Sequence, residues 1–469
     1  MHYVSTRGQA PRLGFSDAVL AGLARDGGLY WPEQWPQLDH ATIGGFAGQS
    51  YAEIAKAVIG PYAGDVTTAD LSAMIDAAYA GFRHQATCPL VQLDNNLFVL
   101  ELFHGPTLAF KDVAMQLLGR LMDHVLKARG QRATIVGATS GDTGSAAIEA
   151  FRGLSQVDVF ILYPHGRVSE VQRRQMTTVA ADNIHALAVE GTFDDCQAIV
   201  KGMFNNHAFR DAYALSGVNS INWARIVAQA GYYVSAAVSL GSPHRRVNFS
   251  VPTGNFGDVL AGYVAKNMGL PINQLMIATN SNDILARTLA TGRYEVTGVH
   301  PTSSPSMDIQ ISSNFERLLF DACHRQGDQI RSMMGSLSQS GAFTSPDEGM
   351  ATIRRDFAAH RVSEDEVSHT MRETLARTGY LLDPHTAVGT AAAEKLLEAD
   401  PATPTVVLAT AHPAKFPDAV FAATGVRPAL PPHLADLLER KEHFTVIANE
   451  QKAIEQFISQ HGRMSGAGV

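Results

Sequence analysis

Short apolar runs alternate with helical patterns along most of the chain. Runs rich in Val, Ile and Phe predict buried strands. These runs are NLFVLE from Asn96, ATIVGA from Ala133, VDVFILY from Val157, IHALAV from Ile184, RVNFSV from Arg246, LMIAT from Leu275 and TVVLAT from Thr405. Between them, apolar residues recur at helical spacing, most clearly from Cys196 to Phe204 behind a predicted cap at Thr192 or Asp194. Because strand and helix alternate, the pattern predicts an α/β fold with parallel sheets.

The same patterns divide the chain into units. Residues 1–95 are expected to form a helical N-terminal unit, and residues 96–245 a first α/β unit. Residues 246–429 predict a second α/β unit. It carries a mostly helical insertion at about 315–376, because that stretch has charged helical patterns and no convincing strand. Residues 430–469 are interpreted as a C-terminal tail.

Composition excludes several classes of partner. The chain has 469 residues, 45% of them hydrophobic, so it can bury a large core. Its formal charge of -8, without a long Lys or Arg block, provides no surface for nucleic acid or an anionic membrane. We find no secretory signal and no apolar run long enough to span a bilayer. The composition favours a soluble protein that acts on a small molecule.

Cysteine usage points to a reducing compartment. The three cysteines, Cys88, Cys196 and Cys323, are far apart and lack metal-ligand spacing. This arrangement predicts neither a zinc site nor a disulfide framework. We therefore expect a cytoplasmic protein without a structural metal.

A lysine stands where the start of a helix is predicted. The segment from Phe103 to Arg120 reads FHGPTLAFKDVAMQLLGR, with a Gly-Pro turn before Lys111 and an amphipathic helix after it. The positive end of a helix disfavours an ammonium group, so the pKa of Lys111 is expected to be lowered. A desolvated lysine of this kind can form a Schiff base with an aldehyde cofactor and move protons. The alternative is a surface lysine that happens to precede a helix.

Two glycine-rich turns follow predicted strands. The first contains Ser140, Gly141, Asp142, Thr143 and Gly144, and the second contains Pro252, Thr253, Gly254, Asn255, Phe256, Gly257 and Asp258. Free backbone N–H groups at such helix starts bind carboxylate or phosphate oxygens. Neither turn has the dinucleotide-binding or P-loop pattern, which disfavours nicotinamide cofactors and nucleoside triphosphates. Each turn taken alone could be an ordinary strand-to-helix connection.

A third strand end carries small polar groups. The run TVVLAT leads into Thr410, Ala411, His412 and Pro413, at the edge where an α/β sheet normally holds its ligand. His412 is better interpreted as a structural histidine bonded to the backbone than as a catalytic group.

Together these segments resemble the threonine synthase family, in the fold-type II group of pyridoxal 5′-phosphate enzymes. The resemblance is carried by YVSTRG, DGGLYWPE, HGPTLAFKD, ATSGDTGSAAI, PTGNFGD, LDPHTAVG and ATAHPAKF, which span most of the chain. HGPTLAFKD and the paired turns are its specific motifs, whereas LDPHTAVG alone is weak. The family implies two three-layer α/β units with parallel-type sheets, a helical N-terminal unit and a helical insertion.

The resemblance also implies roles for individual residues. Lys111 is the Schiff-base lysine, and the cofactor phosphate is held by Gly254, Asn255, Phe256, Gly257 and Asp258. Thr410 faces the pyridine nitrogen, and the turn from Ser140 to Thr143 takes the carboxylate of the amino acid. Asp142 stands where many relatives of this fold type have an asparagine beside the cofactor's ring hydroxyl, which argues against dehydratases and cysteine synthases.

The implied reaction converts O-phospho-L-homoserine and water to L-threonine and phosphate. This substrate needs a second anion site, for which Arg317 and Lys415 are candidates, with hydrogen bonds from Ser312, Ser313 and Asn314. A dehydratase or β-replacing synthase would need no second phosphate site. A non-catalytic relative that binds a phosphorylated amino acid is the rival from another class. A monomer or homodimer is expected.

Overall fold

Two sheets organise the chain in the computed structural model, which describes residues 1–218 and 220–463. The strands are β1 (Tyr3–Ser5), β2 (Tyr30–Pro32), β3 (Leu90–Asp94), β4 (Leu97–Glu101), β5 (Ala133–Ala138), β6 (Val157–Pro164), β7 (Ile184–Val189), β8 (Leu215–Ser216), β9 (Val247–Pro252), β10 (Ile272–Thr279), β11 (Arg293–Glu295), β12 (Ala342–Thr344), β13 (Phe357–Arg361), β14 (Thr405–Ala409) and β15 (Thr445–Ile447).

Helices cover both sheets. They are α1 (Phe15–Ala21), α2 (His40–Gly45), α3 (Tyr51–Ile59), α4 (Thr68–Tyr79), α5 (Lys111–Ala128), α6 (Asp142–Phe151), α7 (Glu170–Thr177), α8 (Phe193–Asn205), α9 (His207–Ala212), α10 (Trp223–Ser239), α11 (Gly257–Asn267), α12 (Ile284–Thr291), α13 (Phe315–Ala322), α14 (Gly327–Ser340), α15 (Asp347–Asp356), α16 (Glu364–Thr378), α17 (Pro384–Ala399), α18 (Pro417–Thr424) and α19 (Gln451–His461). Among the described residues, none of these helices is long and apolar enough to cross a bilayer.

The larger sheet has six strands in the order β13-β10-β9-β14-β4-β3, and only β3 runs antiparallel to its neighbour. The smaller sheet has five parallel strands in the order β15-β7-β6-β5-β8. Every residue of β6 and of β9 is buried, as expected for parallel strands covered by helices on both faces. The predicted α/β class with parallel-type sheets is confirmed.

Several strands belong to sheets that their position in the chain does not predict. The run NLFVLE forms β4, which pairs with β14 of the larger sheet rather than with the strands of the first unit. The stretch expected to lack strands contains β12 and β13, and β13 pairs with β10. The expected tail contributes β15 to the smaller sheet. The observed strand pairings therefore cross the boundaries of the units expected from the sequence.

Three adjacent strands of the larger sheet have their carboxyl ends side by side at the same edge of the sheet. β9, β14 and β4 are neighbours and parallel, so the loops that follow them emerge side by side. The loop after β4 leads to α5, the loop after β14 begins at Thr410, and the loop after β9 leads to α11. Phe110 N–H donates to the carbonyl of Thr410 at 2.8 Å, which joins two of these loops directly.

Candidate active site

Lys111 is the first residue of α5 and is largely buried, with 12% of its side chain exposed. Burial lowers the pKa of Lys111, and the nearby cations Lys415 and Arg225 lower it further, while Asp142 opposes them. The expected direction of the pKa shift is confirmed. Its main cause is burial, because removing the ammonium from water disfavours the charged form.

Asp142 connects several elements of the site. Its Oδ2 lies 3.5 Å from Lys111 Nζ and accepts a hydrogen bond from Ser306 Oγ at 3.1 Å. Its Oδ1 lies 3.0 Å from Lys415 Nζ and accepts from Gln172 Nε2 at 2.9 Å. Burial alone would raise the pKa of Asp142, but Lys415 and Lys111 together hold it well below its usual range. The carboxylate is therefore ionised at neutral pH.

The turn before α6 presents unpaired backbone donors. Thr139 Oγ1 accepts from the N–H groups of Gly141 and Gly144, both at 2.9 Å, and so fixes the turn. Gly141 has a φ of 142°, which favours glycine. The N–H groups of Ser140, Asp142 and Thr143 donate to none of the residues that the structure describes. A helix start with free donors suits a carboxylate.

The turn before α11 has the same character. Phe256 adopts a left-handed φ of 64° immediately before the helix. The N–H groups of Gly254, Asn255 and Phe256 have no acceptor within residues 1–218 and 220–463. A Cβ on Gly254 would lie 2.9 Å from the carbonyl oxygen of Ser306, so the backbone passes too close for a larger residue. This geometry fits a phosphate group held by main-chain donors.

Ser306 brings the two turns together. It lies in a short 3-10 turn, Pro305–Met307, between β11 and α13. Its hydroxyl donates to Asp142 and its carbonyl lies against Gly254. A chain of contacts therefore runs from Lys111 through Asp142 and Ser306 to the turn before α11.

Two of the predicted site residues support that turn from behind. Ser312 Oγ donates to the carbonyl of Gly254 at 2.6 Å. Asn314 donates to the carbonyl of Asn255 from its main-chain N–H at 3.2 Å and from Nδ2 at 3.0 Å. These hydrogen bonds fix the carbonyl groups of Gly254 and Asn255, while the N–H groups of the turn have no acceptor in the described part of the chain.

Arg317 does not serve as a phosphate ligand. It is 0% exposed, and its guanidinium donates to the carbonyls of Tyr30 and Ile221 and to Asn314 Oδ1. These hydrogen bonds use four of its five N–H groups, and the side chain is fully buried. The expectation that Arg317 binds the substrate phosphate is corrected: the residue holds Asn314, and through it the turn before α11.

Lys415 is likewise committed to protein acceptors. It is 0% exposed and donates to the carbonyl of Thr107 at 2.7 Å and to Gln175 Oε1 at 2.9 Å, besides its pair with Asp142. An ammonium has three protons, and three acceptors take them. The expectation that Lys415 binds the substrate phosphate is therefore corrected as well.

The side chain of Asp258 is bonded to the neighbouring helix α10. Tyr232 and Tyr233 of α10 donate hydroxyl hydrogen bonds to its Oδ1 at 2.5 and 3.1 Å. Burial raises the pKa of Asp258 to about 7, and the two hydroxyl groups only partly oppose this. Its Oδ1 is therefore committed to α10, and its main-chain N–H, in the first turn of α11, is the group that can serve an anion.

Thr410 follows the carboxyl end of β14, beside the start of α5. Its hydroxyl donates to no residue in the described part of the chain, while its carbonyl accepts from Phe110 next to Lys111. His412 Nδ1 accepts from Ala414 N–H at 3.1 Å and so caps a short 3-10 turn. The structural interpretation of His412 is confirmed.

Sequence reasoning missed a buried histidine beside Ser306. His385 is 3% exposed, its Nδ1 lies 2.8 Å from Asp383 Oδ2, and its Nε2 accepts from Ser306 N–H at 3.3 Å. Asp383 also caps α17 by accepting from the N–H groups of His385 and Thr386. The LDPHTAVG motif could have indicated this, because Asp before Pro marks a helix start and His follows directly.

A second missed residue is Arg225, in the first turn of α10. It is 4% exposed, its Nη1 donates to the carbonyl of Val218 at 3.0 Å, and its Nε has no partner among the described residues. Burial lowers the pKa of Arg225 to about 10. Its charge also lowers the pKa of Lys111, so the two groups are close enough to interact electrostatically. Nothing in the local sequence distinguishes this arginine from a helix-surface residue.

Comparison with known proteins places the chain in a family. Residues 2–79 match the family model described as threonine synthase N terminus, residues 82–353 that of pyridoxal-phosphate dependent enzymes, and residues 386–458 that of the threonine synthase C-terminal region. A threonine synthase from Pseudomonas aeruginosa is 54% identical over 98% of this chain and 99% of its own length. The chain belongs to the threonine synthase family.

Solved structures of threonine synthases have the same fold. The structure titled as pyridoxal-phosphate-bound threonine synthase from Brucella melitensis superposes with a TM-score of 0.97 at 61% identity, covering 99% of this chain and 100% of that one. The yeast enzyme gives a TM-score of 0.93 at 41% identity, with 98% of each chain covered. The predicted family, the fold-type II architecture and the membership in the pyridoxal-phosphate dependent enzymes are confirmed.

Proposed function

We propose that the chain converts O-phospho-L-homoserine and water to L-threonine and inorganic phosphate, using pyridoxal 5′-phosphate. The observation that carries the proposal is the buried Lys111 amine, linked by Asp142 and Ser306 to a turn with three N–H groups that have no acceptor among the residues described by the structure. A primary amine facing a main-chain anion site has the two features that an aldehyde cofactor with a phosphate group requires. Membership in the family supplies the reaction.

The residues of the site fit this cofactor. Lys111 would hold its aldehyde, and the N–H groups of the turn from Gly254 to Gly257 would hold its phosphate. The hydroxyl of Thr410 would face the ring nitrogen, where a neutral group leaves that nitrogen unprotonated. When bound, the cofactor supplies an electron sink for the charge that develops on the substrate's carbon atoms.

The chain's own groups would perform the remaining work. The Lys111 amine would remove protons from Cα and Cβ of the amino acid and return protons to Cγ, which becomes the methyl group, and finally to Cα. Asp142 keeps the Lys111 nitrogen in place between these tasks. The free N–H groups at the start of α6, with Ser140 and Thr143, bind the substrate carboxylate. Phosphate leaves from Cγ, and a water molecule adds its oxygen at Cβ.

Arg225 is the group we propose for the substrate phosphate. It replaces Arg317 and Lys415, whose nitrogens are already occupied, because its Nε is buried and unpaired among the described residues. A buried cationic donor without a partner is costly unless a ligand completes it. Asn314 bonds to the carbonyls of both Ser220 and Asn255, so the segment that leads to Arg225 lies next to the turn before α11.

This second cation favours the proposed reaction over its rivals. A dehydratase or a β-replacing synthase acts on an amino acid without a phosphate group and needs no further anion site. Binding without turnover is disfavoured because Lys111 is buried with a lowered pKa, as a nucleophilic amine needs to be. We also propose that the protein works in the cytoplasm, which its three free, buried cysteines support.

Replacing Lys111 with Ala tests the proposal. We expect the visible absorbance of the bound cofactor to change and the rate of threonine formation from O-phosphohomoserine to fall by more than about 10³-fold, because both the attachment point and the proton carrier are lost. Lys127→Ala, an exposed lysine on the same helix, is the matched control and should leave both unchanged. Full activity in Lys111→Ala would refute the assignment of Lys111 as the reacting amine. Release of a keto acid instead of phosphate by the unaltered protein would favour a dehydratase.

A further inference from the structure

Two buried lysines share the Asp142 carboxylate, one at each oxygen. Lys415 Nζ lies 3.0 Å from Oδ1, and Lys111 Nζ lies 3.5 Å from Oδ2. The closer partner is therefore Lys415, and it is also the more deeply buried of the two, with 0% against 12% of the side chain exposed. Asp142 is a counter-ion first to Lys415 and only second to Lys111.

Lys415 is fixed in this place by a small network. Its other two hydrogen bonds go to the carbonyl of Thr107 and to Gln175 Oε1. Gln175 Nε2 donates to the same carbonyl of Thr107 at 3.0 Å, so the acceptors hold each other. The main-chain N–H and hydroxyl of Thr107 donate to Asp112, which anchors this segment to α5. The ammonium cannot turn toward a substrate without breaking this network.

We propose that Lys415 is a positioning residue that takes one oxygen of Asp142 and so leaves Lys111 with only a shared counter-ion. An unshared carboxylate would bind the Lys111 ammonium tightly and keep it protonated, whereas the reaction needs a neutral amine. The inference rests on the proposed function, since it assigns Lys111 the role of the reacting amine. It adds that this amine is prepared by a second lysine that never touches the substrate.

The charges around Lys111 oppose one another: Asp142 raises its pKa, whereas Lys415 and Arg225 lower it. Lys111 is acted on by Asp142, Lys415 and Arg225, and Asp142 is acted on by both lysines and by His385. Lys415 also lowers the pKa of Asp112 against the larger effect of burial. Removing Lys415 takes a cation away from Lys111 and frees Asp142 Oδ1. Both changes make the Lys111 nitrogen hold its proton to higher pH.

Neutral residues at both position 142 and position 415 should have little net effect on the pKa of Lys111. Replacing Asp142 with Asn removes the anion that stabilises the Lys111 ammonium, and replacing Lys415 with Gln removes the cation that destabilises it. The two losses oppose each other at Lys111. A double variant should therefore resemble the original protein more closely than either single variant does.

The test follows the cofactor-bound enzyme by visible absorbance as pH is varied, which reports the proton on the Lys111 nitrogen. We expect Lys415→Gln to shift the transition to higher pH by on the order of one unit. Asp142→Asn should shift it to lower pH, and the Asp142→Asn, Lys415→Gln double variant should return it most of the way. Lys395→Gln, an exposed lysine paired with Glu398, is the matched control and should not move it.

Each result decides the inference. An unmoved transition in Lys415→Gln, or a double variant displaced further than the single ones, would overturn it, because a purely structural lysine predicts those outcomes. If Lys415→Gln does not fold, the double variant still should, since it removes both members of the buried Asp142–Lys415 pair, and its failure to fold would also count against the inference. A transition that stays in place while threonine is still formed leaves the proposed function standing, whereas a chain that never shows cofactor absorbance contradicts the proposed function itself.

Discussion

The two glycine turns of the site have similar backbone construction, but the aspartates that follow them have pKa values shifted in opposite directions. Each follows a parallel strand, each opens onto a helix, and each has free main-chain donors. Each also has an aspartate in the first turn of its helix, Asp142 on α6 and Asp258 on α11. The pKa of Asp142 is held well below its usual range, whereas that of Asp258 is raised to about 7.

The difference comes from what surrounds each carboxyl group. Both are buried, and burial raises the pKa of both. Asp142 has two lysines beside it, and their charges outweigh burial. Asp258 has only the hydroxyls of Tyr232 and Tyr233, which do not. The same sequence device therefore yields a charged group that faces the reacting amine in one turn and a group that ties the helix to α10 in the other.

The largest effect we expect from this contrast comes from Asp142→Ala. It leaves Lys415 and Lys111 without their shared carboxylate, and breaking a buried pair is strongly destabilising. Displacement of the Lys111 nitrogen should lower kcat/KM by about 10²-fold. Steady-state phosphate release measures this. Asp258→Asn keeps the size of the side chain and both tyrosine partners, so its kcat/KM should fall by less than about tenfold. Equal losses of kcat/KM in the two variants would show that the two aspartates do not differ in function.

A smaller effect should show that the two turns bind different ligands, the turn before α11 the cofactor and the turn before α6 the amino acid. Alanine at Gly254 would place a Cβ 2.9 Å from a main-chain oxygen of Ser306, and main chain yields poorly. The turn should shift, and the affinity for pyridoxal 5′-phosphate should weaken by about tenfold, as strain of roughly 1–2 kcal/mol implies. Equilibrium titration with the cofactor measures this change.

The matched variant is Gly141→Ala, whose Cβ meets the side chain of Gln172 instead. Here the Gln172 side chain must give way and the hydrogen bond to Asp142 is lost. We expect the KM for the amino acid to rise while the cofactor affinity stays closer to its original value. A loss of cofactor affinity as large as that of Gly254→Ala would show that the first turn does not serve the substrate.

The strands were predictable where both faces are buried. The runs ATIVGA and IHALAV coincide with β5 and β7, because fully covered parallel strands appear as continuous apolar sequence. β13, with the sequence FAAHR, lies at the edge of its sheet and is half exposed, so its pattern does not stand out. Which sheet a strand joins depends on chain crossings, and this explains the misplaced β4.

The site was predictable where residues adjacent in sequence act together. Lys111 and the two turns are such segments, and their helix-start geometry is local. Arg317 and Lys415 show that a charged residue in the right region reveals nothing about its partners, since main-chain acceptors distant in sequence satisfy both. Arg225 was missed for the same reason, because burial and an unpaired nitrogen are properties of the folded chain alone. His385 was missed because its contact with Ser306 joins residues that are distant in sequence.

The smallest effect concerns stability and pH. The pKa of Asp258 is about 7 in the folded chain, above the ordinary value of 3.8. The folded state therefore binds a proton more tightly than the unfolded state, and the stability this provides is lost as pH rises through 7. Asp142 behaves oppositely, because its pKa is lowered in the folded chain. The stability that Asp142 contributes is therefore lost only as pH falls below the ordinary carboxyl pKa of 3.8.

Asp258→Asn should consequently flatten the pH dependence of stability. Between about pH 6 and pH 7.5, Asp258 should account for a loss of about 1 kcal/mol in the free energy of unfolding, which the variant would not show. Asp112, whose pKa is also raised to about 7, is present in both proteins and cancels in the comparison. Urea unfolding at the two pH values measures the difference, and Asp142→Asn is the control, since Asp142 is ionised in both states throughout that range. Parallel pH profiles for Asp258→Asn and the original chain would mean that the tyrosine pair keeps Asp258 charged, and the contrast between the two turns would then lie in position alone.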